Sequence, residues 1–182
     1  MKKLLLILLL PIAAHAQQSI PANIDSFSFV YTGIQQVPGV SARIIQSRAR
    51  LFIAETFPNP HEVTKYDDTD GGIFSAVCLI PLRIKRPKDK DSANFGVLSL
   101  PMTILFRNGK YKYEFSQITH QGDRAEFYNG GLLTNTVPTD RLMEKRDWQL
   151  ARLSSPAYIQ AFIDRMNASL QSDNLDPDKS DF

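Results

Sequence analysis

The chain has 182 residues, 21 Lys and Arg against 19 Asp and Glu, a formal net charge of +2 and one cysteine. A single thiol excludes internal disulfides, so buried apolar surface has to hold the fold together. The length suits one hydrophobic core and not comfortably two.

Met1 to Ala16 has the pattern of a secretory leader: Lys2 and Lys3, an apolar run from Leu4 to Ala13, then Ala14-His15-Ala16 as the cleavage site. Cleavage is expected after Ala16, leaving 166 of the 182 residues. An apolar run of about ten residues is half of what a membrane span needs, and no cysteine at the cleavage site offers a lipid anchor. No membrane span is expected. Losing Lys2 and Lys3 leaves 19 basic residues against 19 acidic. The processed chain is then neutral, without the basic excess of a nucleic-acid binder, and nucleic acid is not an expected partner. The expected location is the periplasm or the exterior.

A polar lead-in covers 17–26. Phe27-Ser28-Phe29-Val30-Tyr31 alternates as a strand does. Ser41 is placed as an N-cap for a helix over 42–57, whose stripe is Ile45, Ala49, Phe52, Ile53 and Thr56, with Arg43, Gln46, Arg48, Arg50 and Glu55 at other angles. Phe57-Pro58 ends it. Glu62 to Tyr66 reads as a short strand entering the turn Asp67-Asp68-Thr69-Asp70-Gly71-Gly72. A strand follows from Phe74 to Ile84, with Phe74, Ala76, Cys78, Ile80, Leu82 and Ile84 on one face. After the charged loop from Arg86 to Asn94, another strand spans Val97 to Arg107.

Asn108-Gly109 favours a two-residue type I′ hairpin turn, with positive φ at both positions. That register sets Arg107 against Lys110, Phe106 against Tyr111, Ile104 against Tyr113 and Met102 against Phe115. Apolar residues then meet aromatics on one face, and a slip of one residue would destroy the match. From Thr119 to Leu153 the periodicity fades, and the stretch reads as a long insertion. A second helix is expected from Ser154-Ser155-Pro156, with proline in its first turn and a stripe of Ile159, Phe162, Ile163, Met166 and Leu170. The tail 171–182 is acidic and polar.

These elements predict a single α+β domain over 27–170, in which two helices cover one face of an antiparallel sheet. The helix 44–57, the Lys65-Tyr66-Asp67-Asp68 and Gly71-Gly72-Ile73 segments, and the hairpin from Asn108 to Phe115 resemble domain of unknown function family 4468. The resemblance spans Phe27 to Ile118. It implies a fold like that of the TATA-box-binding protein, in the order β-α-β-β-β-β-α, and a secreted or envelope protein of Bacteroidota-type bacteria. It implies no activity and carries over no site residues. The chain departs from the family in lacking a tryptophan near Leu51 or Phe52 and in the length of the 119–153 stretch.

Chemistry-bearing patterns are sparse. Placing Asp68, Asp70 and Gly71 on an EF-hand loop puts Tyr66 first and Val77 twelfth, so the pattern fails at both ends and no metal site is expected. His61 and His120 lack a second ligand at metal spacing, and no Gly-x-Ser-x-Gly context is present. Cys78 has the core phase of its strand, where a thiol acts as a small hydrophobe. No catalytic residue and no cofactor are expected. A small hydrolase using His61 or His120 is the rival reading, and a structural subunit of an envelope assembly is a third.

The sheet face away from the helices stays partly apolar, through Val77, Leu79, Val97 and Leu105. Phe127, Tyr128 and Trp148 of the insertion are placed to fold over that face. Alternatively, Val77, Leu79, Leu105, Phe127, Tyr128 and Trp148 form a surface for another envelope protein, a polymer or a small apolar ligand. The expected function is an exported, non-enzymatic binding or interaction module.

Overall fold

The computed structural model describes residues 28–85, 90–122 and 128–172. The expected leader, the lead-in, Phe27, Phe127 and all of the tail beyond Ser172 lie outside these residues. The elements are β1 (Tyr31–Gln36), α1 (Ala42–Thr56), the single turn α2 (Pro60–Val63), β2 (Thr64–Asp68), β3 (Ile73–Ile84), β4 (Ala93–Arg107), β5 (Lys110–Phe115), β6 (Thr119–Gln121), β7 (Gly131–Leu132) and α3 (Lys145–Gln171). The sheet is antiparallel in the order β1-β5-β4-β3-β2, and β6 joins β4 with β7 beside it. It is an α+β sandwich of two layers, with α1 and α3 packed on each other and on one face of the sheet.

The core follows the alternation of the strands. Phe74, Ala76, Cys78, Ile80, Leu82 and Ile84 of β3 are all buried, as are Leu98, Leu100, Met102, Ile104 and Phe106 of β4. The hairpin register is the one read from the sequence, from Arg107↔Lys110 to Met102↔Phe115. Phe162 of α3 ties the layers together. Its ring meets Phe52 of α1 edge-on at 5.5 Å and Phe115 of β5 at 6.1 Å, while the Arg165 guanidinium sits 5.7 Å over its face.

Two prolines lie inside strands without breaking them, and the ladder explains both. Phe106 N–H donates to Gly72, so even residues of β4 bond towards β3 and odd ones away from it. The nitrogen of Pro101 therefore faces the gap where β5 has ended and β6 has not begun. Pro81 of β3 faces the side of β2, which pairs no further than Ala76. Neither position has a ladder bond for proline to remove.

Several expectations need correction. The first strand begins at Tyr31, not Phe27, with Phe29 buried just ahead of it. Glu62 to Tyr66 is divided between α2 and β2, because Pro60 starts a helical turn. The strand expected at Val97 starts at Ala93. The Asn108-Gly109 turn is not type I′: Gly109 has φ +75°, but Asn108 is not among the residues with positive φ. Tertiary bonds account for this, since Asn108 Oδ1 accepts from Ala42 N–H and Gly109 N–H donates to Val40.

Gln46 and Arg48, expected outside the apolar stripe of α1, are buried. Gln46 Nε2 donates to Asp67 Oδ1 at 2.7 Å, and Arg48 Nη1 donates to the Leu170 carbonyl at the C-terminal end of α3, a favourable place for a cation. The second helix starts at Lys145, nine residues before the expected start, and Pro156 lies in its interior. Ser155, read as part of an N-terminal signal, is buried with Oγ donating to the Ala151 carbonyl. The 119–153 stretch supplies β6, β7 and the first turns of α3.

Candidate functional site

The face of the sheet turned away from the helices is built from the residues that alternate with the core. Cross-strand pairs place them in rows. Asp68, Ile73, Leu105, Lys112 and Ile34 form one row, and Tyr66, Ser75, Thr103, Glu114 and Thr32 the next. Beyond them Val77 faces Pro101, and Leu79, Ser99, Thr119 and Leu132 make a further row. Among the described residues, Ile34 is 63% exposed, Tyr66 53%, Leu79 46%, Leu105 40% and Leu132 39%. Large apolar side chains on five strands are thus left half in water, which a sheet with one solvated face does not require.

Val77, Leu79 and Leu105 share this face, as the sequence implies. Trp148 does not. It is fully buried in the first turns of α3, with Nε1 donating to the Asn135 carbonyl at 3.0 Å. Its ring leaves no room over Gly130, where a Cβ would fall 2.0 Å from the ring. A surface role for Trp148 is therefore withdrawn, and the reason is the longer helix that carries it into the core. Tyr128 is half exposed at φ +74°, its N–H held by Asp140 Oδ2, outside the paired rows. Phe127 is outside the described residues. Ile34, Ile73, Tyr66, Pro101 and Leu132 were missed in the sequence. Ile34 lies in a strand that starts four residues later than expected, and the phase of Tyr66 depends on a register shift between Thr64 and Tyr66.

The charged groups are local devices. Asp68 Oδ1 accepts from the Asp70 and Gly71 backbone N–H groups, closing the turn, while its carboxylate beside the Tyr66 hydroxyl raises the phenol pKa. Asp67 lies on the helix side. Its pKa is lowered chiefly by the hydrogen bond from Arg50, at 2.5 Å from Nε. Burial pushes the Cys78 thiol up to about 12, so it is a core atom and a poor nucleophile.

His120 is buried on β6, with Nε2 2.5 Å from the Phe95 carbonyl and Nδ1 accepting from Gly130 N–H at 3.1 Å. Both ring nitrogens are engaged by backbone, which fixes the neutral Nε2–H tautomer and makes the ring a strut between β4, β6 and the Gly130 turn. His61 lies exposed on α2. Among the described residues no three of His, Cys, Asp and Glu are placed to hold a metal, and no helix is long and apolar enough to cross a membrane.

A two-layer sandwich with a long antiparallel sheet, helices on one side and an uncovered opposite face is the TBP-like class of α+β fold. The model of the family described as "Domain of unknown function (DUF4468) with TBP-like fold" matches residues 31–121, half of the chain, and the chain belongs to that family. A TBP-like protein from Parabacteroides distasonis is similar at TM-score 0.59 and 12% identity, over 82% of this chain and 99% of that one. A DUF4468 family protein from Bacteroides ovatus is similar at TM-score 0.57 and 14% identity, over 81% and 89%. No curated protein of known function matches.

Proposed function

We propose that this protein is an exported, non-enzymatic interaction module whose working surface is the open face of its sheet. The observation that supports this is the exposure of Leu79 and Leu105 on strands whose alternate residues form a dry core, with Tyr66 and Leu132 exposed further along the same face. The partner is another protein or polymer of the cell envelope. The apolar groups are spread over four strands and separated by Ser75, Thr103 and Thr119, which suits a broad partner better than a small apolar ligand enclosed in a cavity. The balance of 19 acidic and 19 basic residues in the processed chain disfavours nucleic acid, whose binding rests on phosphate neutralisation.

The test compares the protein with a Leu79→Asp, Leu105→Asp variant in co-purification from the native envelope, followed by mass spectrometry. The expected result is a partner retained by the parent and lost by a variant whose melting temperature is nearly unchanged. A folded variant that retains every partner would refute the proposal.

A further inference from the structure

β1 is an outer strand, and among the described residues no strand pairs with its far side. The ladder tells which of its groups face outward. Val37 N–H donates to the Gly109 carbonyl at 2.8 Å, and the pairing continues through Gln35↔Tyr111, Gly33↔Tyr113 and Tyr31↔Phe115. Antiparallel pairs alternate between bonded and unbonded, so the odd residues bond to β5. Thr32, Ile34 and Gln36 therefore aim their backbone N–H and C=O groups outward. Natural sheet edges are usually blunted by charge, proline or a bulge. Tyr31-Thr32-Gly33-Ile34-Gln35-Gln36 has neither charge nor proline, and its register with β5 is unbroken. Tyr113 holds the strand down from the helix side, its hydroxyl lying where a Cβ on Gly33 would come within 2.5 Å.

We propose that two copies of this chain join edge to edge through antiparallel β1 strands, about a two-fold axis at Ile34, so that the two sheets become one. The strand is self-complementary in this register. Each Ile34 lies opposite its counterpart, and Thr32 lies opposite Gln36 of the second copy, so outward groups meet only outward groups. The two Ile34 side chains, 63% exposed in the single chain, come together on the open face. Glu114 is beside Thr32 and Lys110 beside Gln36, so these charges, like the two Lys112, lie three strand spacings apart across the seam, and charge neither drives nor opposes the pairing. That separation is about 14 Å, beyond the screening length of roughly 8–10 Å. A seam of five paired residues per copy, Thr32 to Gln36, predicts a weak, concentration-dependent dimer. The inference concerns the strand edge and does not depend on the proposed use of the open face.

The test is sedimentation of the full chain, purified from its native host, over a wide concentration range, alongside Ile34→Lys. The parent is expected to reach twice the monomer mass, and the variant to self-associate at least tenfold more weakly with its melting temperature preserved. A second pair of variants locates the seam. Directly opposed residues in a bonded pair have Cα atoms about 5.5 Å apart, within disulfide range, so Ile34→Cys should cross-link under mild oxidant much faster than Leu79→Cys. The native Cys78 is buried and gives little background. A parent that stays monomeric at every concentration overturns the proposal, including the case where β1 accepts a strand from a different protein. Faster cross-linking at Leu79→Cys also overturns it, by showing that copies stack face to face.

Discussion

Along β4, Leu98, Leu100, Met102, Ile104 and Phe106 are buried under the helices, while Thr103 and Leu105 stand exposed between them and Val97 and Pro101 are half-buried. The same backbone thus carries two surfaces with different duties. On the helix side every contact is made within the chain, and aromatic rings from β5 and α1 converge on Phe162 of α3. On the other side apolar groups alternate with Ser, Thr and charged residues, and folding does not use them up. The contrast teaches that hydrophobicity alone does not identify a core. The partners across the strand do.

The comparison can be broken first on the covered side. Trp148→Ala removes a fully buried ring and is expected to lower stability by about 3–5 kcal/mol in a denaturant titration. A loss below about 1 kcal/mol would place Trp148 nearer the surface. Gly130→Ala adds one methyl where the Trp148 ring already lies, and is expected to cost about 1–3 kcal/mol by the same measurement. On the open side, Leu79→Thr and Leu105→Thr should each change stability by less than about 1 kcal/mol, read as a shift of the melting temperature of a few degrees at most. A large destabilisation there would mean that the open face is part of the core.

The smallest effect concerns acid. In the folded protein Asp67 is held below its ordinary range chiefly by the Arg50 hydrogen bond, and Asp140 by the Leu142 backbone N–H. A depressed carboxyl favours folding in its charged form. Its contribution is fully present above the unfolded-chain value of about 4 and fades as the pH falls through the folded value. For an exposed pair such as Arg50–Asp67 it is under about 1 kcal/mol. The stability gap between the parent and Asp67→Asn should hold steady above about pH 5 and narrow on acidification. A gap that widens in acid would reverse the assigned sign.

The parts of this molecule that could be read in advance are those where local and long-range signals coincide. The hairpin around Asn108-Gly109 pairs aromatic with aliphatic residues in only one register, so its strands were legible even though the turn itself took another form. The helix from Ala42 was legible because Ser41 caps it and one stripe is apolar. The burial of Gln46 and Arg48 was not, since it depends on β2 and on the far end of α3, which arrive from distant parts of the chain. The early start of α3 was written in the sequence. Trp148, Ala151, Ser155 and Ile159 continue the apolar stripe backwards at helical spacing, but Ser154-Ser155-Pro156 imitates a start signal. Of the candidate site, Val77, Leu79 and Leu105 could be found from strand phase alone. Ile34 and Leu132 could not, because β1 is offset from its apolar run and β7 is two residues long.

Adjacent residues of β4 offer the most direct test of a sheet with one closed and one open face. Ile104→Cys and Leu105→Cys, made singly and treated with a thiol reagent under native conditions, differ by one position on the strand and by the whole thickness of the sheet. The thiol at 105 is expected to react at a rate close to that of a free thiol, and the thiol at 104 only as fast as the protein unfolds, like Cys78. Equal protection at both positions would contradict the open face, and equal reactivity would contradict the helix-covered core.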